Sequence, residues 1–185
     1  MLFTLRTFSA ATLGLALGLN QGLAADAMVV WPSDWEVEAL PQSQSQAGAD
    51  RPSVQIRQRA VKKDDNGDPA MVVELTQTRL QPGHEVNVQS VLLEMRKAVQ
   101  VNFVHSGFQS VCTKMKESTL SEVPAMETTC TITQNGAHVM TQTLVAAANK
   151  EMAWALSYAG SADGYAANKD EVLRIRDSLR LNVTP

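Results

Sequence analysis

The sequence predicts an α+β domain: an antiparallel sheet, made of a hairpin and a four-strand meander, flanked by a long central helix and a C-terminal helix. Three observations carry this. Alternating apolar–polar runs flank the turn-rich stretch Lys62–Pro69 (KKDDNGDP). Between Val88 and Phe103 the apolar residues recur every three or four positions, as on one side of an amphipathic helix. Asn135-Gly136 separates two long strand-like runs and is the preferred two-residue hairpin turn.

In chain order, Met28–Val30 and Trp35–Ala39 read as short strand pieces broken by Pro32-Ser33-Asp34, and Pro41 to Pro52 as a loop without periodicity. Val54–Val61 and Ala70–Leu80 form the hairpin, with Met71, Val73 and Leu75 on one side. Pro82-Gly83 ends it. The central helix carries Val88, Val91, Leu92, Met95, Val99 and Phe103, and Gly107 closes it as the residue after the C-cap. Four strands follow: Phe108–Lys116, Pro124–Gln134, Ala137–Ala148 and Glu151–Ala159. The Asn135-Gly136 turn pairs Ile132 with Val139 and Cys130 with Thr141; a turn at Asn149-Lys150 pairs Val145 with Trp154. These registers place Met126, Cys130, Ile132, Val139, Val145, Met152, Trp154, Leu156 and Tyr158 on one face. The other face carries Thr129, Thr131, Met140, Leu144, Ala153, Ala155 and Ala159, small enough for a helix to lie close. After a Ser-Ala-Asp-Gly loop, Asn168 and Glu171 form a candidate capping pair for a last helix with Val172, Ile175 and Leu179 on its apolar side.

Residues 1–24 read as a secretory signal peptide. Arg6 gives the positive start, Phe8–Leu19 the apolar centre, and Gly22 and Ala24 the small residues before a cut; cuts after Ala25 or Ala27 are alternatives. The apolar run is shorter than the roughly 20 residues a membrane-spanning helix needs. No Cys follows it, so no lipid anchor is expected. The remaining residues, 25–185, read as a single exported domain, periplasmic or secreted further. That domain has 15 basic and 19 acidic residues, hence a charge of −4, and no second apolar stretch that could span a bilayer. This balance speaks against nucleic acid or anionic lipid as partner. With 44% hydrophobic residues in the full chain, disorder is excluded as well.

Two Cys in an exported chain make a disulfide the default, and Cys112 and Cys130 lie symmetrically about Ser121, where a hairpin turn would bring them face to face. A redox pair would sit as Cys-x-x-Cys, which they do not. His84, His105 and His138 share no metal-binding spacing, so no metal and no cofactor are expected. Met115 and Met126 flank one hairpin, but the register sends them to opposite faces, and the methionines read as core filling. No Gly-x-Ser-x-Gly elbow occurs. Asp64-Asp65-Asn66-Gly67-Asp68 lacks the ligand spacing of a calcium loop and reads as a hairpin tip. Trp31 and Trp35 are the candidate partner surface, with burial under a helix as the other reading.

The order of elements, the Trp31-Pro32-Ser33-Asp34-Trp35-Glu36-Val37 opening and the ending Tyr165…Glu171-Val-Leu-Arg-Ile-Arg-Asp-Ser178-Leu-Arg resemble the PsbP/DcrB-like class. They also resemble a domain-of-unknown-function family of secreted proteins from pseudomonad-type bacteria. The resemblance covers nearly all of the exported part. It implies a sheet sandwiched by helices and a non-catalytic role, as in assembly factors, envelope lipoproteins and secretion adaptors, and it brings no catalytic residue. The functions to weigh are an exported binding or accessory protein with an envelope protein partner, a toxin-neutralising immunity protein, and a hydrolase using scattered carboxylates.

Overall fold

The computed structural model describes residues 27–41 and 55–181; the predicted signal peptide, and most of the loop predicted from Pro41 to Pro52, lie outside the described residues. Among the described residues, ten strands and two helices follow in the order β1 (Ala27–Met28), β2 (Trp35–Leu40), β3 (Gln55–Lys63), β4 (Pro69–Arg79), α1 (Val88–His105), β5 (Gln109–Cys112), β6 (Lys116–Leu120), β7 (Val123–Gln134), β8 (Ala137–Ala148), β9 (Met152–Ser161), α2 (Ala162–Ser178) and β10 (Arg180–Leu181). Strands β2 to β9 make one antiparallel sheet in the order β2-β3-β4-β9-β8-β7-β5, with β6 also on β7. Strands β1 and β10 pair separately, Ala27 opposite Leu181 and Met28 opposite Arg180.

The predicted α+β class holds, with additions. Strand β2 joins the hairpin as a third strand, and the first meander strand divides into β5 and β6. The helix α1 spans the predicted stripe. Its end is a Schellman closure: Phe108 N–H donates to Phe103 O and Gly107 N–H to Val104 O, with Gly107 at φ +80°. Phe103 and Phe108 then meet edge to face at 6.0 Å, the apolar contact that accompanies such an ending.

One register differs from expectation and rearranges the core. Asn135 and Gly136 both take positive φ, as a tight hairpin turn requires. Immediately beyond it, Thr133 pairs with His138 but Ile132 pairs with Met140, so Val139 is an extra residue in a β-bulge. Cys130 consequently pairs with Gln142 rather than Thr141. A one-residue shift exchanges the two faces of a strand. Cys130 and Ile132 therefore lie beneath α1 with Leu144 and Ala146, while Val145, Met152, Trp154, Leu156 and Tyr158 lie beneath α2. Thr129 and Thr131 turn to the α2 side. The turn between β8 and β9 is longer than two residues, because Ala148 pairs with Ala153; Val145 thus faces Leu156, an even shift that keeps the predicted face.

The last helix starts six residues earlier than Asn168. Ser161 ends β9 and also caps α2, its Oγ accepting the Gly164 N–H at 3.0 Å. Asn168 and Glu171 are no cap: Asn168 bonds the Gly164 carbonyl along the helix, and Glu171 pairs with Lys62. The first turn of α2 presses on β4, where a Cβ on Gly164 would stand 2.3 Å from Ala70 O. Val172, Ile175 and Leu179 fill the larger core with Trp35, Met71, Val73 and Leu75.

Candidate functional site

The helix α1 leans mainly on β5, β7 and β8, and on the same face Thr76, Thr78, Ala153 and Ala155 of β4 and β9 stay half-buried. Asn87 starts it by accepting the Ser90 N–H at 2.9 Å. Its N-terminal half then presents Val88, Val91 and Met95 to a floor of Thr76 and Thr78 from β4 and Ala153 and Ala155 from β9. Small floor side chains stop short of the helix, and a groove of about 190 Å³ remains. None of its lining residues ionises at neutral pH; they are aliphatic, alanine, threonine, Gln55 and Trp154. The volume lies below the roughly 300–1,000 Å³ of sites for drug-sized ligands and cofactors. It suits one or two aliphatic side chains. Val86 also borders a separate hollow of about 450 Å³, together with His84, Glu85 and Lys150.

A second, polar hollow of about 430 Å³ lies between the β6–β7 turn and the end of α2, lined by Ser121, Glu122, Arg176, Asp177 and Arg180. The Arg176 guanidinium is already engaged. Arg176 donates to Glu127 Oε2 at 2.6 Å, Ser118 Oγ at 2.6 Å and Thr119 O at 2.7 Å. Lys116 adds a 3.2 Å contact on the other Glu127 oxygen. Burial alone would push the Glu127 carboxyl up; Arg176 and then Lys116 outweigh it and hold that carboxyl below its ordinary range. This network fastens α2 to β6 and β7, while Arg180, the other arginine of the hollow, donates from one guanidinium nitrogen to Asp177 O at 2.8 Å and Leu179 O at 3.0 Å.

On the same face the Tyr165 hydroxyl stands 2.7 Å from that of Thr143, which stands 2.8 Å from that of Thr129. Burial pushes the Tyr165 phenol up to about 12, against the hydrogen bond to Thr143, which lowers it.

The residues singled out in the sequence do not converge. Trp35 is 5% exposed and packed in the α2-side core, which removes it from any contact surface; Trp31 is half-buried against it, ring centres 6.4 Å apart. The two share a turn in which Trp35 N–H donates to Pro32 O and Asp34 reaches Lys62 at 3.1 Å. Cys112 and Cys130 are register partners on β5 and β7 and are joined by a disulfide beneath α1. Met115 and Met126, expected on opposite faces, both pack on the α1-side cluster, because Met115 lies in the link between β5 and β6 rather than in a strand. Asp64 serves its own turn, its Oδ1 accepting the Asn66 and Asp68 N–H groups at 2.9 Å. His138 bonds Thr141 Oγ1 at 2.8 Å. Among the described residues no three His, Cys, Asp or Glu side chains are grouped to hold a metal, and no helix is long and apolar enough to cross a membrane. The groove was not singled out in the sequence. Its signal there is the alternation of small residues Ala153, Ala155, Ser157 and Ala159 along β9.

The fold, an antiparallel sheet with one helix on each face, is PsbP-like by comparison with solved structures. The solution structure of cyanobacterial PsbP (CyanoP) from Synechocystis sp. PCC 6803 matches with a TM-score of 0.57 at 8% identity, over 84% of this chain and 86% of that one. The crystal structure of LpqN, described as involved in cell envelope biogenesis of Mycobacterium tuberculosis, matches with a TM-score of 0.52 at 20% identity, over 86% and 83%. Such identities speak for the fold alone. Residues 26–181 match the family DUF4946, described as a domain of unknown function, and the chain belongs to that family. No curated protein matches its sequence.

Proposed function

We propose that this is a non-catalytic binding or accessory protein of a bacterial envelope, of the pseudomonad type its sequence resembles. Residues 1–24 direct export to the periplasm, and the remainder is one domain that docks an envelope protein through the groove beside α1. The observation that carries this reading is the groove's lining: apolar and small side chains that recognise by fit and burial, with no ionisable group among them to move a proton or attack a bond. The envelope role described for LpqN and the early apolar segment with Gly22 and Ala24 support the location.

Site-specific photocrosslinking tests it. A photoreactive residue at Val91, in the groove wall, should yield an adduct with a defined envelope protein in the periplasmic fraction. The same residue at Leu93, exposed on α1 outside the groove, should not. Equal labelling at both positions, or none, refutes the groove as the docking site. Retention of the chain in the cytoplasm refutes export.

A further inference from the structure

The large sheet ends in two edge strands, β5 and β2, and they are not alike. Strand β5 has four residues, is tied to β7 by the Cys112–Cys130 disulfide, and one of its carbonyls, Ser110 O, accepts from Gln100 Nε2 of α1 at 3.3 Å. Strand β2 has six residues, and among the described residues no strand pairs with its far side. Glu36 to Ala39 are exposed in succession, and Val37 is 47% exposed. The buried Trp35 anchors the strand, and its N–H donates to Pro32 O at 3.2 Å instead of to β3. Successive residues of an antiparallel strand turn their N–H and C=O groups to opposite sides. Val37 and Ala39 therefore share the orientation of Trp35 and present these groups to the open side, while Glu36 and Glu38 turn theirs to Val61 and Arg59 of β3. The side chains along this edge are acidic. Glu36 meets Lys63 at 2.8 Å, but Glu38 has only a 3.6 Å contact with Arg59, which Glu74 holds more closely at 2.7 Å. Two carboxylates thus share one guanidinium, and the less well served of them stands at the edge.

We propose that β2 is a docking edge for an extended segment of a partner protein that carries a basic–apolar–basic triplet. Backbone hydrogen bonds to Val37 and Ala39 extend the sheet by one strand, cations stand opposite Glu36 and Glu38, and the apolar residue between them covers Val37. An open edge can also pair with a second copy of the same chain. The charges oppose that occupant. Antiparallel self-pairing centred on Val37 sets Glu36 against Glu38 of the other copy, and centring on Glu38 sets that residue against itself, in each case carboxylate opposite carboxylate. No residue of β2 lines the groove beside α1, so this surface is additional to the one proposed above.

The test titrates synthetic peptides into the purified, isotope-labelled protein and follows its amide NMR signals. One peptide alternates Lys and Val, one has the same composition with Lys and Val in separate blocks, and one alternates Glu and Val. The alternating Lys peptide should shift the Val37 and Ala39 amides and bind about tenfold more tightly than the Glu peptide. The block peptide should bind more weakly than the alternating one. Val37→Pro removes an N–H that the sheet itself does not use, at an edge position where proline is tolerated, and should abolish this binding while the rest of the spectrum persists. Glu36→Gln with Glu38→Gln removes two cross-strand ion pairs and should weaken binding about two- to thirtyfold. This variant carries the test if Val37→Pro does not fold. No binding of the alternating Lys peptide, shifts confined to the groove beside α1, equal binding of all three peptides, or unchanged affinity in the glutamine variant overturns the proposal. Concentration-dependent shifts of Val37 and Ala39 without any peptide assign the edge to a second copy and overturn it as well.

Discussion

Replacing Arg176 with methionine keeps most of the side-chain volume and removes the charge that holds α2 to β6 and β7. Three hydrogen bonds are lost, at 2.6, 2.6 and 2.7 Å. Glu127, only 10% exposed at its side chain, keeps Lys116 and Ser118 as partners but loses the buried cation. Breaking one partner out of a buried pair costs about 3–5 kcal/mol. The surviving Lys116 contact puts this case near the lower end, about 3 kcal/mol, a large part of the roughly 5–15 kcal/mol that stabilises a domain. For a domain of this size that is a fall in Tm of about 6–12 °C. Urea unfolding followed by tryptophan fluorescence reads it directly, since Trp35 and Trp154 are buried. The control is the double variant Arg176→Met with Glu127→Leu, which exchanges the pair for apolar volume and should recover most of the loss. A single variant within about 1 kcal/mol of the parent, or a double variant no better than the single, refutes the view that an uncompensated buried carboxylate sets the cost.

Further outcomes follow from the same geometry. Because Glu127 titrates below its ordinary 4.5 when folded, its stabilisation is complete above that pH and is lost as pH falls through the lowered value; Glu127→Gln should flatten the acid limb of a stability–pH curve. Trp35→Ala should cost about 3–5 kcal/mol in denaturant unfolding, and the half-buried Trp31→Ala clearly less; equal costs contradict the burial assigned to them. Cys112→Ser with Cys130→Ser should lose about 3 kcal/mol, the loop-closure contribution of a bridge with separation 18, and thiol titration of the unreduced, denatured protein should find no free Cys. Gly164→Ala tests a sign. At an open helix position this exchange gains up to about 1 kcal/mol. Here the Cβ meets Ala70 O, so a loss of about 1–3 kcal/mol is expected in thermal unfolding.

The parts of this fold that were legible in the sequence are those set by local chemistry. The Val88–Phe103 stripe and Gly107 gave α1 and its end, and Asn135-Gly136 gave the turn between β7 and β8. The bulge at Val139 was not legible, because nothing in the residue types of that hairpin distinguishes one extra residue from none. The choice is made by what each face packs against, Cys130 and Ile132 under α1 and Val145 and Leu156 under α2. The start of α2 was hidden for another reason. Ala162–Asn168 has no apolar stripe, and its Gly164 reads as a breaker until Ala70 is seen beside it. The groove is a relation between α1 and two strands far apart in the chain, so only its small floor residues left a trace in the sequence.

The clasp of β1 on β10 also sets an order of events. The α1-side core is complete from residues 88–146, but the larger core needs Ala27 and Trp35 from one end of the fold and Val172 to Leu181 from the other. A chain threaded N-terminus first through a membrane therefore stays open over its larger core until its last strand arrives. Contacts of such long sequence separation form slowly. On the export reading proposed above, the larger core therefore closes only once Val172 to Leu181 are present, so the final turn of α2 with β10 is the last part of the fold to be completed.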